Sequence, residues 1–108
     1  MGWANAQRYL LTGDAWSAQE ALRLGLVQEL AAPGEQVQKA REIAQKIAKA
    51  APMGVQNIIK STRMAWTQGE QEAAKHLFTD MLPVMQSEDA AEGVRSFLER
   101  REAVFTGR

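Results

Sequence analysis

From Glu35 onward the apolar residues recur at intervals of three and four, the spacing of one face of an α-helix. Val37, Ala40, Ala44, Ile47 and Ala51 mark one such face, with Lys39, Arg41, Glu42, Lys46 and Lys49 mostly on the other sides. Val55, Ile58, Ile59, Thr62 and Trp66 form a second stripe. Ala74, Leu77, Phe78, Met81, Leu82 and Met85 form a wider third. Breaks separate them. Pro52 stops one helix and suits the first turn of the next, where its missing N–H costs nothing. Gly69 ends that helix, and Pro83 kinks or terminates the last turn of the one after. Ser87-Glu88-Asp89 opens a final helix by placing acid at the positive end of its dipole, with Val94, Phe97, Leu98 and Arg101 on one face. A chain patterned this way builds helices whose apolar sides must be covered by one another or by another layer.

The first residues follow the same rule with tighter punctuation. A helix is expected over Trp3 to Leu11, stopped at Thr12-Gly13-Asp14, where Gly13 suits the left-handed position that closes helices. Ser17 followed by Glu20 reads as a capping box, which satisfies two otherwise orphan N–H groups, and that second helix ends at Gly25. Leu26 to Leu30, bounded by Gly25 and Pro33-Gly34, is the one candidate for an extended segment or short strand. The predicted fold class is mainly α, with about six helices and one short extended segment. It divides into residues 1–34 and a helical region over residues 35–108.

Composition removes several function classes. Thirteen Lys plus Arg balance thirteen Asp plus Glu, leaving no net field to attract nucleic acid or an anionic membrane. The absence of cysteine excludes disulfides, a thiolate nucleophile and cysteine-ligated zinc. No apolar run approaches a membrane span and the start has no export-signal pattern, so the expected location is cytoplasmic. No glycine spacing matches a phosphate-binding loop. Trp3, Trp16 and Trp66 lie far apart without an interleaved basic stripe, which points to packing rather than base stacking.

Candidate chemistry is sparse. His76 is the single histidine and has no second ligand for a metal and no serine in a nucleophile setting, so it reads as a surface or packing residue. Asp14 and Glu20 are accounted for by a turn and a cap. Glu88 and Asp89 are adjacent on a helix and do not face each other, which disfavours a shared-proton pair and leaves helix capping. No catalytic residue and no metal ligand is assigned.

Two stretches carry a resemblance. "LLTGDAWSAQEALRLGLVQEL" resembles the segment that follows the catalytic core of the enoyl-CoA hydratase/isomerase (crotonase) superfamily. "SEDAAEGVRSFLERREAVFTGR" is similar to that family's closing helix, and "APMGVQNIIK" falls between them where the family places such a segment. The resemblance covers nearly the whole chain. It implies the C-terminal part of a larger acyl-CoA enzyme, with trimer contacts or a dimer of trimers and a role covering the active site. In the family the oxyanion-hole N–H pair and the acid/base carboxylates belong to a preceding ββα core. The implied reaction is hydration or isomerisation of a 2-enoyl-CoA, with the coenzyme A thioester as substrate and no separate cofactor. The resemblance also implies a site. The family's last helix sets a Phe and, three residues later, a Lys against the adenine and phosphates of CoA bound to a neighbouring subunit. The matching positions here are Phe97 and Arg100. Arginine keeps the charge and changes reach and geometry. The alternative is that Phe97 is core and Arg100 is simply solvated. An alternative for the whole chain is a non-catalytic helical module that binds other subunits.

The 108-residue chain by itself should therefore show no hydratase or isomerase activity. Incubation with crotonyl-CoA should leave the absorbance of the conjugated thioester unchanged, and turnover that persists after rigorous purification would contradict the assignment.

Overall fold

The computed structural model describes residues 1–108 and contains six α-helices and no β-strand. They are α1 (Trp3–Thr12), α2 (Ala18–Arg23), α3 (Gln36–Ala48), α4 (Pro52–Gln68), α5 (Glu70–Met85) and α6 (Glu88–Glu99). The chain separates into two compact units, Met1–Arg41 and Glu42–Arg108.

In the first unit α1 closes on Gly13, at φ 70°, whose N–H returns to the Tyr9 carbonyl. Tyr9, Ala21 and Leu24 are its buried apolar residues. The Trp16 ring meets Tyr9 edge-on with centroids 4.7 Å apart, a favoured aromatic arrangement. Ser17 caps α2 by accepting the Glu20 N–H at 3.1 Å. The reciprocal half of the expected capping box is replaced, because the Glu20 carboxylate engages Arg23 at 2.6 and 2.7 Å and the Tyr9 hydroxyl at 3.3 Å.

Of the two alternatives for Leu26–Leu30, the short strand does not form. Gly25, at φ 72°, takes the left-handed position after α2, and the Leu26 N–H bonds back to the Ala21 carbonyl while the Gly25 N–H bonds to Leu22. This pair of bonds is the Schellman closure of a helix. It turns the chain back toward α2, and the Leu26 and Val27 N–H groups are both spent on the Ala21 carbonyl.

In the second unit α4 and α5 pack on each other and α5 contacts α6. Gly69 joins the first two, its N–H bonding to Ala65 and its carbonyl accepting from Ala73. Its φ of 97° and ψ of 155° lie in a region that is essentially glycine-only. Across the hairpin Lys60 pairs with Asp80 at 2.7 Å. Pro83 does not stop α5, which continues to Met85; the proline falls in the last turn, where only one i→i−4 bond is forfeited.

The apolar stripes are mostly uncovered within the chain. No residue of α3 or α4 is buried, and in α5 only Ala73 is. Ile43, Ile47, Val55, Ile58 and Ile59 line an open apolar groove of about 490 Å³. Trp3 and Trp66, expected to pack, are 80% and 91% exposed. No helix is long and apolar enough to cross a membrane.

Two glycines with open space around them should respond oppositely to alanine. Gly69→Ala should destabilise the α4–α5 hairpin by about 1–3 kcal/mol through backbone strain. Gly54→Ala, inside α4, should stabilise it by about 0.5–1 kcal/mol. Thermal melts followed by circular dichroism would test both signs.

Candidate functional site

Polar chemistry in this chain concentrates where α6 ends and the last residues fold back along it. Ser87 starts the helix, its Oγ accepting the Ala90 N–H at 3.0 Å. That register places Asp89 and Glu92 on the side along which residues 101–108 return. Asp89 is 2% exposed, and its carboxylate is filled by N–H donors. Thr106 donates its N–H at 2.7 Å and its hydroxyl at 3.4 Å to one oxygen, and Gly107 donates its N–H at 2.8 Å to the other. The Asp89 N–H in turn bonds to the Arg108 carbonyl at 2.9 Å. A buried carboxylate is tolerated when its lone pairs are satisfied in this way. The expectation of helix capping alone therefore understates Asp89, which anchors the chain end.

Glu92 makes the second anchor. Arg101 reaches both of its oxygens, at 2.5 and 2.9 Å, in the two-pronged geometry that suits a guanidinium and a carboxylate. The Val104 N–H adds a third bond at 3.0 Å. The Arg101 hydrogen bonds, then the Val104 N–H, hold the Glu92 carboxyl down at about 2. Arg101 also donates to Glu99 at 2.6 Å and to the Glu102 carbonyl at 3.0 Å. A carboxylate so occupied, and so weakly basic, is a poor general base near neutrality.

Between these anchors sits Arg100. Arg100 lies outside the helix that carries Phe97, because α6 ends at Glu99 and Arg100 is the cap, at φ 54° and ψ 42°. The helical spacing of three does not continue through a left-handed residue. The Arg100 N–H bonds to Phe97 O and the Arg101 N–H to Ser96 O, again a Schellman closure. Arg100 is the one non-glycine residue of the chain with positive φ. Its guanidinium is exposed and has no ion pair within the chain, whereas its neighbour Arg101 is fully engaged. Phe97 is 81% exposed, so it is not core in this chain.

His76 lies on the surface of α5, 3.5 Å from Glu72 one turn away. The anchoring by Asp89, Glu92 and Arg101 went unseen in the sequence because those residues lie 9 to 18 positions from their partners.

Residues 1–108 match the family model described as enoyl-CoA hydratase/isomerase. The chain belongs to the enoyl-CoA hydratase/isomerase family. It is 40% identical to an (E)-benzylidenesuccinyl-CoA hydratase of Thauera aromatica, across 96% of this chain and 41% of that protein. It is 33% identical to a carnitinyl-CoA dehydratase of Salmonella typhimurium, across 92% of this chain and 40% of that protein. A crystal structure of a probable enoyl-CoA hydratase/isomerase from Mycobacterium abscessus is 45% identical and superposes with a TM-score of 0.90, covering 99% of this chain and 42% of that one. An enoyl-CoA hydratase from Mycobacterium tuberculosis H37Rv, 32% identical, gives 0.87 over all of this chain and 43% of its own. The chain spans less than half the length of each of these family members.

Glu92 should link pH to the fold-back. Its pKa is lowered from 4.5 to about 2, so its contribution is fully present above about 4.5 and is lost as pH falls through about 2. The Val104 amide resonance should therefore hold its position from neutrality through pH 4 and move near pH 2. In Glu92→Gln it should already be displaced at neutral pH.

Proposed function

We propose that this chain forms the helical layer of an acyl-CoA enzyme that adds water to, or isomerises, a 2-enoyl-CoA through a stabilised thioester enolate. In this reading it covers the active site and supplies contacts between subunits of a homo-oligomer, a trimer or a dimer of trimers. The coenzyme A thioester is the substrate, and no further cofactor is required. Phe97 and Arg100 meet the adenosine end of CoA across a subunit boundary.

One observation carries the proposal. Only four apolar residues of this family member are buried, while twenty-two large ones are exposed, more apolar surface than an isolated domain ordinarily leaves wet. Such surface is what a covering and subunit-packing layer needs. The reaction class is supported by the relatives' names, a hydratase and a dehydratase of CoA thioesters. The site is supported by the chemistry at the end of α6. An exposed aromatic face can cover adenine, and an unpaired guanidinium can hold phosphate oxygens with charge-assisted hydrogen bonds. The exposed surface would equally serve a non-catalytic interaction module, but family membership gives that reading no advantage.

Arg100→Ala in the active enzyme should raise KM for CoA esters roughly 5- to 30-fold, the equivalent of about 1–2 kcal/mol for one partly exposed charge-assisted contact. Acyl-pantetheine substrates, which lack the adenosine phosphates, should be almost unaffected. Equal losses for both substrates, or none for either, would remove Arg100 from the site.

A further inference from the structure

We propose that Glu92 and Arg101 are positioning residues for Arg100: their clasp fixes the left-handed turn from which the Arg100 guanidinium is presented to the phosphates of a CoA thioester. The inference rests on the reading of Arg100 given above and extends it to two residues that touch no ligand.

The backbone at Arg100 is strained. A residue with a Cβ pays to occupy the left-handed region, and such residues persist where the surroundings over-determine them. Arg100 is fixed from both sides. Behind it, the N–H groups of Arg100 and Arg101 close on Phe97 O and Ser96 O. Ahead of it, Arg101 grips both oxygens of Glu92, and Val104 donates to the same carboxylate at 3.0 Å. Thr106 and Gly107 then tie down on Asp89. The chain cannot continue as helix past Glu99 without breaking the Glu92 bonds, and it cannot relax outward without the same loss.

The two consecutive arginines divide the work. Arg101 spends its donors on Glu92, Glu99 and the Glu102 carbonyl. Arg100 spends none of its guanidinium donors within the chain and keeps five N–H groups for an anion. With the clasp open, Arg101 would become a second mobile cation beside Arg100, and Glu99, with Glu92 then held only by Arg95 at 3.9 Å, would be free to compete for either one. The clasp therefore orients Arg100 and also keeps neighbouring carboxylates away from it.

The test is a double-mutant cycle read by equilibrium binding of free CoA and of pantetheine to the native protein. Glu92→Gln should weaken CoA roughly 5-fold or more, within the range expected for Arg100→Ala, and leave pantetheine unchanged. Glu92→Gln combined with Arg100→Ala should be no weaker than Arg100→Ala alone, because a residue that acts through another shows no added loss once that other is gone. Arg101→Lys, which keeps the charge without the two-pronged contact, should give a smaller loss and serves where Glu92→Gln folds poorly. Additive losses, equal losses for CoA and pantetheine, or unchanged CoA binding with the Val104 amide resonance displaced would each overturn the positioning role. If Arg100→Ala itself leaves CoA binding unchanged, the site assignment fails first, which is a different outcome from failure of the clasp.

Discussion

Burial is the constraint on which every helix of this chain depends. Helices of this length draw most of their stability from packing an apolar face, and pieces shorter than about 12–15 residues are marginal in water. Here α2 has six residues and α1 has ten, yet the first unit buries only Tyr9, Ala21 and Leu24 among its apolar side chains. What holds such elements is local chemistry: the Ser17 cap, the glycine closures after α1 and α2, and the Glu20 carboxylate shared by Arg23 and Tyr9. The open stripes on α3, α4 and α5 are the complement of that arrangement. They carry the hydrophobic free energy that the chain does not realise by folding on itself, and it is realised only when another surface covers them.

At the chain end the problem is solved with polar groups. Residues 101–108 bury Ala103 and Phe105 only in part and leave Val104 exposed, and they are held by carboxylates aimed at backbone N–H groups. Asp89 can be nearly fully buried because three donors meet it, and the partly buried Glu92 is satisfied by a guanidinium and an amide. Removing one partner of such a set leaves a charge without its bonds, which costs more than the mean worth of the bonds lost. The consequence is specificity of path. An apolar strap could slide along α6, whereas N–H donors at 104, 106 and 107 fit two carboxylates three residues apart in one register only.

The legibility of the sequence follows the range of the interaction. The helices were legible because spacing, caps and breakers are local: Ser17, Pro52, Gly69 and Ser87 act within a few residues of themselves. At Leu26–Leu30 the sequence leaves an extended segment and a short strand both open, because β-prone residues such as Val27 say nothing about whether a partner strand exists. The Schellman closure on Gly25 decided the matter. Pro83 marks the last turn of α5, which ends at Met85, although a proline so near a helix end removes too little to stop it earlier. The apolar stripes are legible as faces that need a cover, although periodicity reports only that a face is apolar and not what lies against it. Phe97 and Arg100 were reached through resemblance. Asp89, Glu92 and Arg101 were invisible because their partners are distant in sequence and several are backbone groups that every residue possesses.

Arg100 brings these strands together. A Schellman closure ordinarily puts glycine in the left-handed position, and this chain does so at Gly25. At the end of α6 it places an arginine there instead and then surrounds the turn with the strongest polar contacts it has. Glycine at that position would satisfy the backbone better, so stability does not explain the choice. What an arginine adds is a side chain with five donors, delivered from a turn that its neighbours prevent from unwinding. The strain at Arg100 and the clasp of Glu92 on Arg101 are two halves of one device: the first presents a cation, and the second keeps the chain from relaxing away from that presentation.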